Sequence, residues 1–311
     1  MNTETGHRTP PLPGSGHWAL AQYTTDDQPR PRLGVLTDGR ILAAPTSWPS
    51  TLMELVAQWR PLEDELHHLN LAELSEVPAA NLAAPLTYPA KVICAGANYY
   101  DHAEEMGTQR PDPTQPPFFF LKPPTTTIVG PGAQITVQGI PEAKVDWEAE
   151  LAVVIADRCS AVPVGEARAH IAGYLVANDI SARGRFPRPA AVFPPFQWDW
   201  VGHKGGDGFC PIGPGLVPAW QIDYPQNLSI RLSVNGVVKQ DSSTRLMVVE
   251  IDALVAAASH LMTLEPGDVI LTGTPAGVGM PKNTFLSSGD VMAVDIENVG
   301  HLENTIMEAG E

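Results

Sequence analysis

Between Asp146 and Ile155 the chain reads Asp-Trp-Glu-Ala-Glu-Leu-Ala-Val-Val-Ile, with acids at every second position running into an unbroken apolar stretch. Successive side chains of a β-strand point to opposite faces, so Glu148 and Glu150 project together, roughly 7 Å apart at the backbone. The apolar continuation carries the strand into a core, where a register slip of one residue is not tolerated. Two like charges on one wall of a buried strand are unfavourable unless one is protonated or a cation lies between them. An isolated Glu-x-Glu is most simply an edge strand facing water, but the apolar run argues against that here. A third acid, Asp179, follows the apolar Tyr174-Leu-Val-Ala, where a second buried strand ends. Three oxygen donors without a nearby Cys or His cluster suit a hard cation: Mg²⁺, or else Mn²⁺ or Ca²⁺, with water or substrate completing the shell.

The rest of the chain is consistent with a strand-rich α+β protein. Lys91-Val-Ile-Cys, Leu151 to Ile155 and Leu228-Ser-Ile-Arg-Leu-Ser-Val read as β-branched strands divided by Gly and Pro turns. Helical patterns are fewer: one through Leu52 to Trp59, one through Leu62 to Leu69, and later ones over Gly165 to Ala172 and Glu250 to Leu264. Strands and helices do not alternate strictly, which disfavours a TIM barrel or a doubly wound sheet. Short strands flank the turn Thr37-Asp-Gly, and the segment from Val77 to Pro89 is rich in Pro and Ala. These features divide the chain into a disordered tail over residues 1–16, a small N-terminal α/β domain over 17–88 and a main domain over 89–311.

Charge and cysteine usage narrow the partners. The 311 residues carry 19 Lys and Arg against 35 Asp and Glu, a formal charge of −16, which repels nucleic acid and anionic membranes over about a Debye length. An anionic substrate requires a metal or placed cations to reverse the field locally. Cys94, Cys159 and Cys210 form no close-spaced pair, so no disulfide framework or Cys-x-x-Cys zinc motif is expected. The opening residues resemble neither a signal peptide nor a membrane anchor. A cytoplasmic location follows as the expectation.

A second constellation lies at Asp101-His102-Ala-Glu104-Glu105. Asp101 and Glu104 have the spacing of a helix capping box. His102 and Glu105, three apart, would share a helix face, close enough for the carboxylate to orient the imidazole as a water-activating base. The plain alternative is a solvated histidine at a helix start.

Several segments, taken together and in order, resemble the fumarylacetoacetate hydrolase superfamily over roughly Lys91 to Ile306. They are Lys91 to His102, Phe120-Leu-Lys-Pro, Asp146 to Ile155, Gly173-Tyr-Leu-Val-Ala-Asn-Asp-Ile-Ser-Ala-Arg, and Leu264-Glu-Pro-Gly-Asp-Val-Ile-Leu-Thr-Gly-Thr-Pro-Ala-Gly-Val-Gly. The resemblance implies a mixed β-sandwich or β-roll catalytic domain, a homodimer, and a metal on Glu148, Glu150 and Asp179. It assigns the water-activating pair to His102 and Glu105, in a segment that orders over the site, and an active-site lysine to Lys204. A lysine there would stabilise developing negative charge. Thr272, Gly273 and Thr274 offer hydroxyls and amides to a substrate, with Lys122 a further candidate for its carboxylate. The loop lacks the features of a P-loop or dinucleotide fold. Many family members carry an acid and, two residues on, a glutamine where this chain has Gly184 and Phe186. The following Pro187 to Trp200, rich in Pro, Phe and Trp, is expected to shape an apolar pocket or else a dimer contact.

The implied activity is hydrolytic cleavage of a carbon–carbon bond in a 1,3-dicarbonyl acid of the acylpyruvate or fumarylacetoacetate type. The metal acts as Lewis acid, His102 deprotonates water and the departing carbanion is held as an enolate. A decarboxylase, isomerase or hydratase of a 2-oxo acid on the same scaffold is the alternative, and Gly184 and Phe186 lean toward it. A non-catalytic metal-stabilised binding protein is the alternative of another class; chelation would then cost it stability but no turnover.

Overall fold

The computed structural model describes residues 17–310; the tail expected over residues 1–16 lies outside them. The first strands are β1 (Ala19–Thr25), β2 (Gln28–Thr37) and β3 (Arg40–Ala43). Asp38 and Gly39 both have positive φ, 46° and 72°, the two-residue turn whose twist matches a hairpin. Helices α1 (Leu52–Val56) and α2 (Trp59–His67) follow, then β4 (Asn81–Ala83), β5 (Val92–Gly96), α3 (Tyr100–Glu105) and β6 (Phe118–Lys122). Next come β7 (Ile128–Val129), β8 (Gln134–Val137), α4 (Ile140–Ala143), β9 (Val145–Asp146) and β10 (Ala149–Ile155). After α5 (Val164–Ala167) the chain forms β11 (Ile171–Asn178), β12 (Ser181–Ala182), α6 (Trp200–Lys204) and β13 (Cys210–Pro218). It ends with β14 (Ser229–Val234), β15 (Val237–Ser243), α7 (Ile251–Leu261), β16 (Val269–Leu271), β17 (Val291–Ile296) and β18 (Gly300–Glu308).

Eleven strands form one sheet along the path β3-β2-β1-β13-β11-β10-β16-β5-β6, with β4 on β1 and β7 on β13. A second sheet runs β15-β14-β17-β18-β8, and β12 pairs with β9. The N-terminal strands thus extend the sheet that carries the acids, through Leu20 opposite Leu216. The fold is strand-rich and mixed, as expected.

The apolar run of β10 is explained by burial on both faces. Leu151, Val153 and Ile155 join a core with Ile230, Leu232, Met292 and Val294 of the second sheet. Ala152 and Val154 join the other core, with Leu52, Leu55 and Trp59 of the N-terminal helices. One expectation is corrected: the helix read over Gly165 to Ala172 is one short turn of α5 and a 3₁₀ turn at Arg168–His170. Ile171 begins a strand buried along its whole length, so packing between two cores overrides local helical pattern.

Candidate active site

The ladder of β10 against β11 sets the acids. Glu150 pairs with Ala177 and Ala149 with Asn178, so one further step puts Glu148 across from Asp179. The Asp179 amide donates to the Glu148 carbonyl at 2.8 Å. Glu148, Glu150 and Asp179 are all buried and present carboxylate oxygens within 4.8 Å of one another.

Three cations, Lys204, Arg183 and Lys122, contact this cluster. Lys204, at the end of α6, donates to Glu148 Oε2 at 2.8 Å and Asp179 Oδ2 at 2.7 Å. Burial alone would lower its pKa, but Asp179 and Glu148 outweigh this and raise it above the ordinary lysine value. Arg183 donates to Glu148 Oε1 at 2.6 Å and to the buried Asp146 Oδ2 at 3.0 Å. Burial opposes ionisation of Glu148, yet Lys204 and Arg183 bring its pKa well below the carboxylate range. Glu150 shows the reverse: burial first, then the charges of Asp179 and Glu148, push its pKa well above the ordinary value. Its Oε2 accepts from the Gly273 amide at 2.6 Å. A carboxyl whose pKa is driven up by burial and by neighbouring acids marks a site short of positive charge. Three converging oxygen donors fit a hard divalent ion, which would permit Glu150 to ionise.

His102 and Glu105 form the expected dyad. His102 Nδ1 lies 2.9 Å from Glu105 Oε1, and the Glu105 carboxylate accepts from the Gly277 amide at 2.9 and 3.0 Å. Burial opposes Glu105 ionisation, but the hydrogen bonds from His102 and Gly277 prevail and hold its pKa below the usual range. An ionised acceptor makes Nδ1 the donor, so in the neutral imidazole Nε2 carries the lone pair. Gly277 has φ of 105°, and a Cβ there would stand 2.1 Å from the Lys239 carbonyl, so this anchor requires glycine. The expected capping box does not form. Tyr99 is the N-cap of α3 and makes no side-chain cap; Asp101 instead accepts from Ser242 Oγ at 2.6 Å. A tertiary partner outcompetes the local one.

The expected substrate contacts are placed differently. Lys122 is buried behind Asp179, 2.5 Å from its Oδ1, and donates to the carbonyls of Ile180 and Lys204 at 3.1 and 2.7 Å. With its ammonium engaged three times, it supports the acids rather than facing the cavity. Thr272 Oγ1 donates to the Leu151 carbonyl and Thr274 Oγ1 to that of Ala149, while the Gly273 amide serves Glu150. This loop turns its polar groups onto β10, and of the three only Thr274 lines the cavity.

That cavity, about 390 Å³, has His102, the three acids, Arg183 and Lys204 on its walls, together with Phe120, Phe186, Pro187, Trp198, Trp200 and His203. Phe186 stacks on Trp198, with centroids 4.9 Å apart and planes at 28°, and meets Trp200 edge-on at 4.9 Å. Trp200 stacks on Phe120 at 4.8 Å. His203, 4.3 Å from the Phe186 ring, accepts from Arg183 Nη1 at 3.3 Å through Nε2. Burial, then Lys204 and Arg183, push its pKa down to about 2, so it is a neutral member of this wall. The departure at Gly184 has a steric cause: a Cβ there would lie 1.9 Å from the Glu142 carbonyl.

Arg183 and His203 are the site residues that sequence reasoning passed over. Arg183 closes the Ser-Ala-Arg segment, but only the pairing of β12 with β9, Ser181 opposite Asp146, brings it to the acids. Its position directly after a polar motif beside Asp179 was the available signal.

Comparison with known proteins agrees with this architecture. The model of the fumarylacetoacetate (FAA) hydrolase C-terminal family matches residues 91–307. The mitochondrial oxaloacetate tautomerase fahd2 of Xenopus laevis is 38% identical over 305 residues, covering 93% of this chain and 90% of the relative. The fumarylacetoacetate hydrolase of the psychrophile Exiguobacterium antarcticum superposes with a TM-score of 0.78 at 33% identity, covering 94% of this chain and 99% of that one. A maleylpyruvate hydrolase of Sphingobium, solved with manganese(II) and pyruvate, superposes with a TM-score of 0.73 at 29% identity, covering 93% and 99%. The chain therefore belongs to the fumarylacetoacetate hydrolase family, a superfamily of enzymes.

Proposed function

We propose that this protein is a divalent-metal-dependent enzyme that interconverts the keto and enol forms of a small 2-oxo acid. The observation that carries the reading is one cavity shared by a buried carboxylate trio and a histidine whose Nδ1 is held by Glu105. Glu148, Glu150 and Asp179 would hold Mg²⁺ or Mn²⁺, which, when bound, polarises the 2-oxo group as a Lewis acid. The manganese(II) and pyruvate of the maleylpyruvate hydrolase support that ligand pairing. Four acids around the cluster, with Asp146, face three cations, Lys122, Arg183 and Lys204. With all four acids ionised, as a bound ion would permit, a divalent ion turns this surplus of one negative charge into one positive, which favours an anionic substrate.

His102 Nε2 takes a proton from C3 of the substrate, and the C–H electron pair becomes the C2–C3 double bond. The 2-oxo oxygen gains the negative charge, which the Lys204 ammonium stabilises. Return of the proton from His102 to that oxygen completes the enol. Glu105 is a positioning residue, fixing the imidazole through Nδ1. Tautomerisation is favoured over hydrolysis because Phe186 stands where, by the family resemblance, many members carry a glutamine that helps polarise the attacked carbonyl, and the name of the Xenopus relative agrees.

A second reading, hydrolytic cleavage of an acylpyruvate, rests on the same dyad, since Nε2 could equally deprotonate water. The test is to incubate the Mg²⁺- or Mn²⁺-loaded protein in D₂O with pyruvate, oxaloacetate, phenylpyruvate and an acylpyruvate, reading products by mass. Chelator-sensitive deuterium uptake at C3 without chain cleavage is expected. Cleavage of the acylpyruvate without such exchange supports the hydrolytic reading, and neither reaction with any compound refutes both.

A further inference from the structure

Part of the cavity wall is aromatic, with the Lys204 ammonium 5.3 Å from the Phe120 ring centre at its edge. Phe120, Phe186, Trp198 and Trp200 present stacked or edge-on rings, and His203 is held uncharged among them. The cations that line the cavity are already committed. Each nitrogen group of the Arg183 guanidinium has a partner: Nε on Asp146, Nη2 on Glu148 and Nη1 on His203. Lys204 bridges Glu148 and Asp179, and once an ion takes those oxygens its ammonium is left to the 2-oxo oxygen of the substrate. A substrate's own carboxylate and 2-oxo group can be met at the acid cluster once an ion is bound, but a second carboxylate would be driven against aromatic rings with no free counter-charge. Burying an unpaired carboxylate is strongly unfavourable, whereas a flat apolar group on these rings gains area and favourable ring geometry.

We propose, resting on the 2-oxo acid reading above, that this aromatic wall selects a monocarboxylic 2-oxo acid whose C3 substituent is flat and apolar, an aryl or alkenyl group, over a dicarboxylic one. Phe186 and Trp198 are the specificity-determining residues. Phe186 sets its ring between Trp198 and Trp200, and Trp198 ends the stack with about half of its surface exposed (53%). The preference of this chain then differs from the substrate named for its Xenopus relative.

The experiment compares kcat/KM for metal-dependent keto–enol exchange of phenylpyruvate and oxaloacetate, each corrected for the rate without protein. Phenylpyruvate is expected to exceed oxaloacetate by at least about tenfold. Trp198→Leu, at a half-exposed position that tolerates change, should cut that preference by about two- to tenfold through loss of a ring contact, and Phe186→Gln should shift it toward oxaloacetate. Oxaloacetate turned over as well as or better than phenylpyruvate by the wild-type protein overturns this proposal while leaving the enolisation reading intact. An unchanged preference in a folded Trp198→Leu protein also overturns it. Exchange with neither compound removes the enolisation reading itself.

Discussion

Replacing Lys204 by methionine removes the ammonium that lies 2.8 Å from Glu148 and 2.7 Å from Asp179. Both carboxylates are buried, so they lose their shared counter-charge and cannot recover it from water. Breaking a buried pair in this way costs about 3–5 kcal/mol, less whatever is regained when a carboxyl takes up a proton. At about 2–4 °C per kcal/mol for a domain of comparable size, the ion-free variant should melt roughly 6–20 °C lower than the parent. A divalent ion binding to the same oxygens no longer has an ammonium to displace. If about 3 kcal/mol returns on binding, the dissociation constant for Mn²⁺ falls by about a hundredfold. Thermal unfolding with and without Mn²⁺, together with titration calorimetry, reads both quantities. An ion-free melting point within about 2 °C of the parent, or weaker Mn²⁺ binding, refutes the view that Lys204 and the ion compete for one set of oxygens.

His102→Ala should lower kcat for C3 exchange by about 10²–10⁴-fold, the usual share of a positioned general base, in a protein whose metal affinity is retained. Because Glu105 is held below its ordinary pKa, the stability it contributes is present above the unfolded value of about 4.3. That stability is lost as pH falls through the lower folded value. Glu105→Gln should therefore destabilise the protein near neutrality and abolish this acid limb in melting curves recorded against pH. Gly184→Ala forces a Cβ toward the Glu142 carbonyl and should cost about 1–3 kcal/mol or more, measured by chemical denaturation. A neutral result would show that this turn is free to move.

Much of the acid cluster was legible because period-two patterning is a local property. Glu148 and Glu150 could be set on one face from spacing alone, and the apolar run after them marked a strand buried on both sides. Asp179 required knowledge of which strands pair, which the resemblance supplied and the register of β10 with β11 explains. The polar readings that departed from the structure share a cause: each assigned a group to a partner nearby in sequence or to the substrate. Asp101 bonds Ser242 rather than capping with Glu104, and the Thr272 and Thr274 hydroxyls turn onto β10. Lys122 is spent behind Asp179. Arg183 escaped notice for the same reason, since its partners lie 35 and 37 residues away. Of the stretch expected to shape an apolar pocket or a dimer contact, Phe186, Pro187, Trp198 and Trp200 line the cavity, whereas Val192, Phe193 and Phe196 between them are exposed.

The most direct test of the metal centre is the anomalous scattering of Mn²⁺ in crystals of the protein. The account predicts one strong peak at coordination distance, about 2.0–2.6 Å, from an oxygen of each of Glu148, Glu150 and Asp179. A peak elsewhere, or none at saturating Mn²⁺, would contradict it.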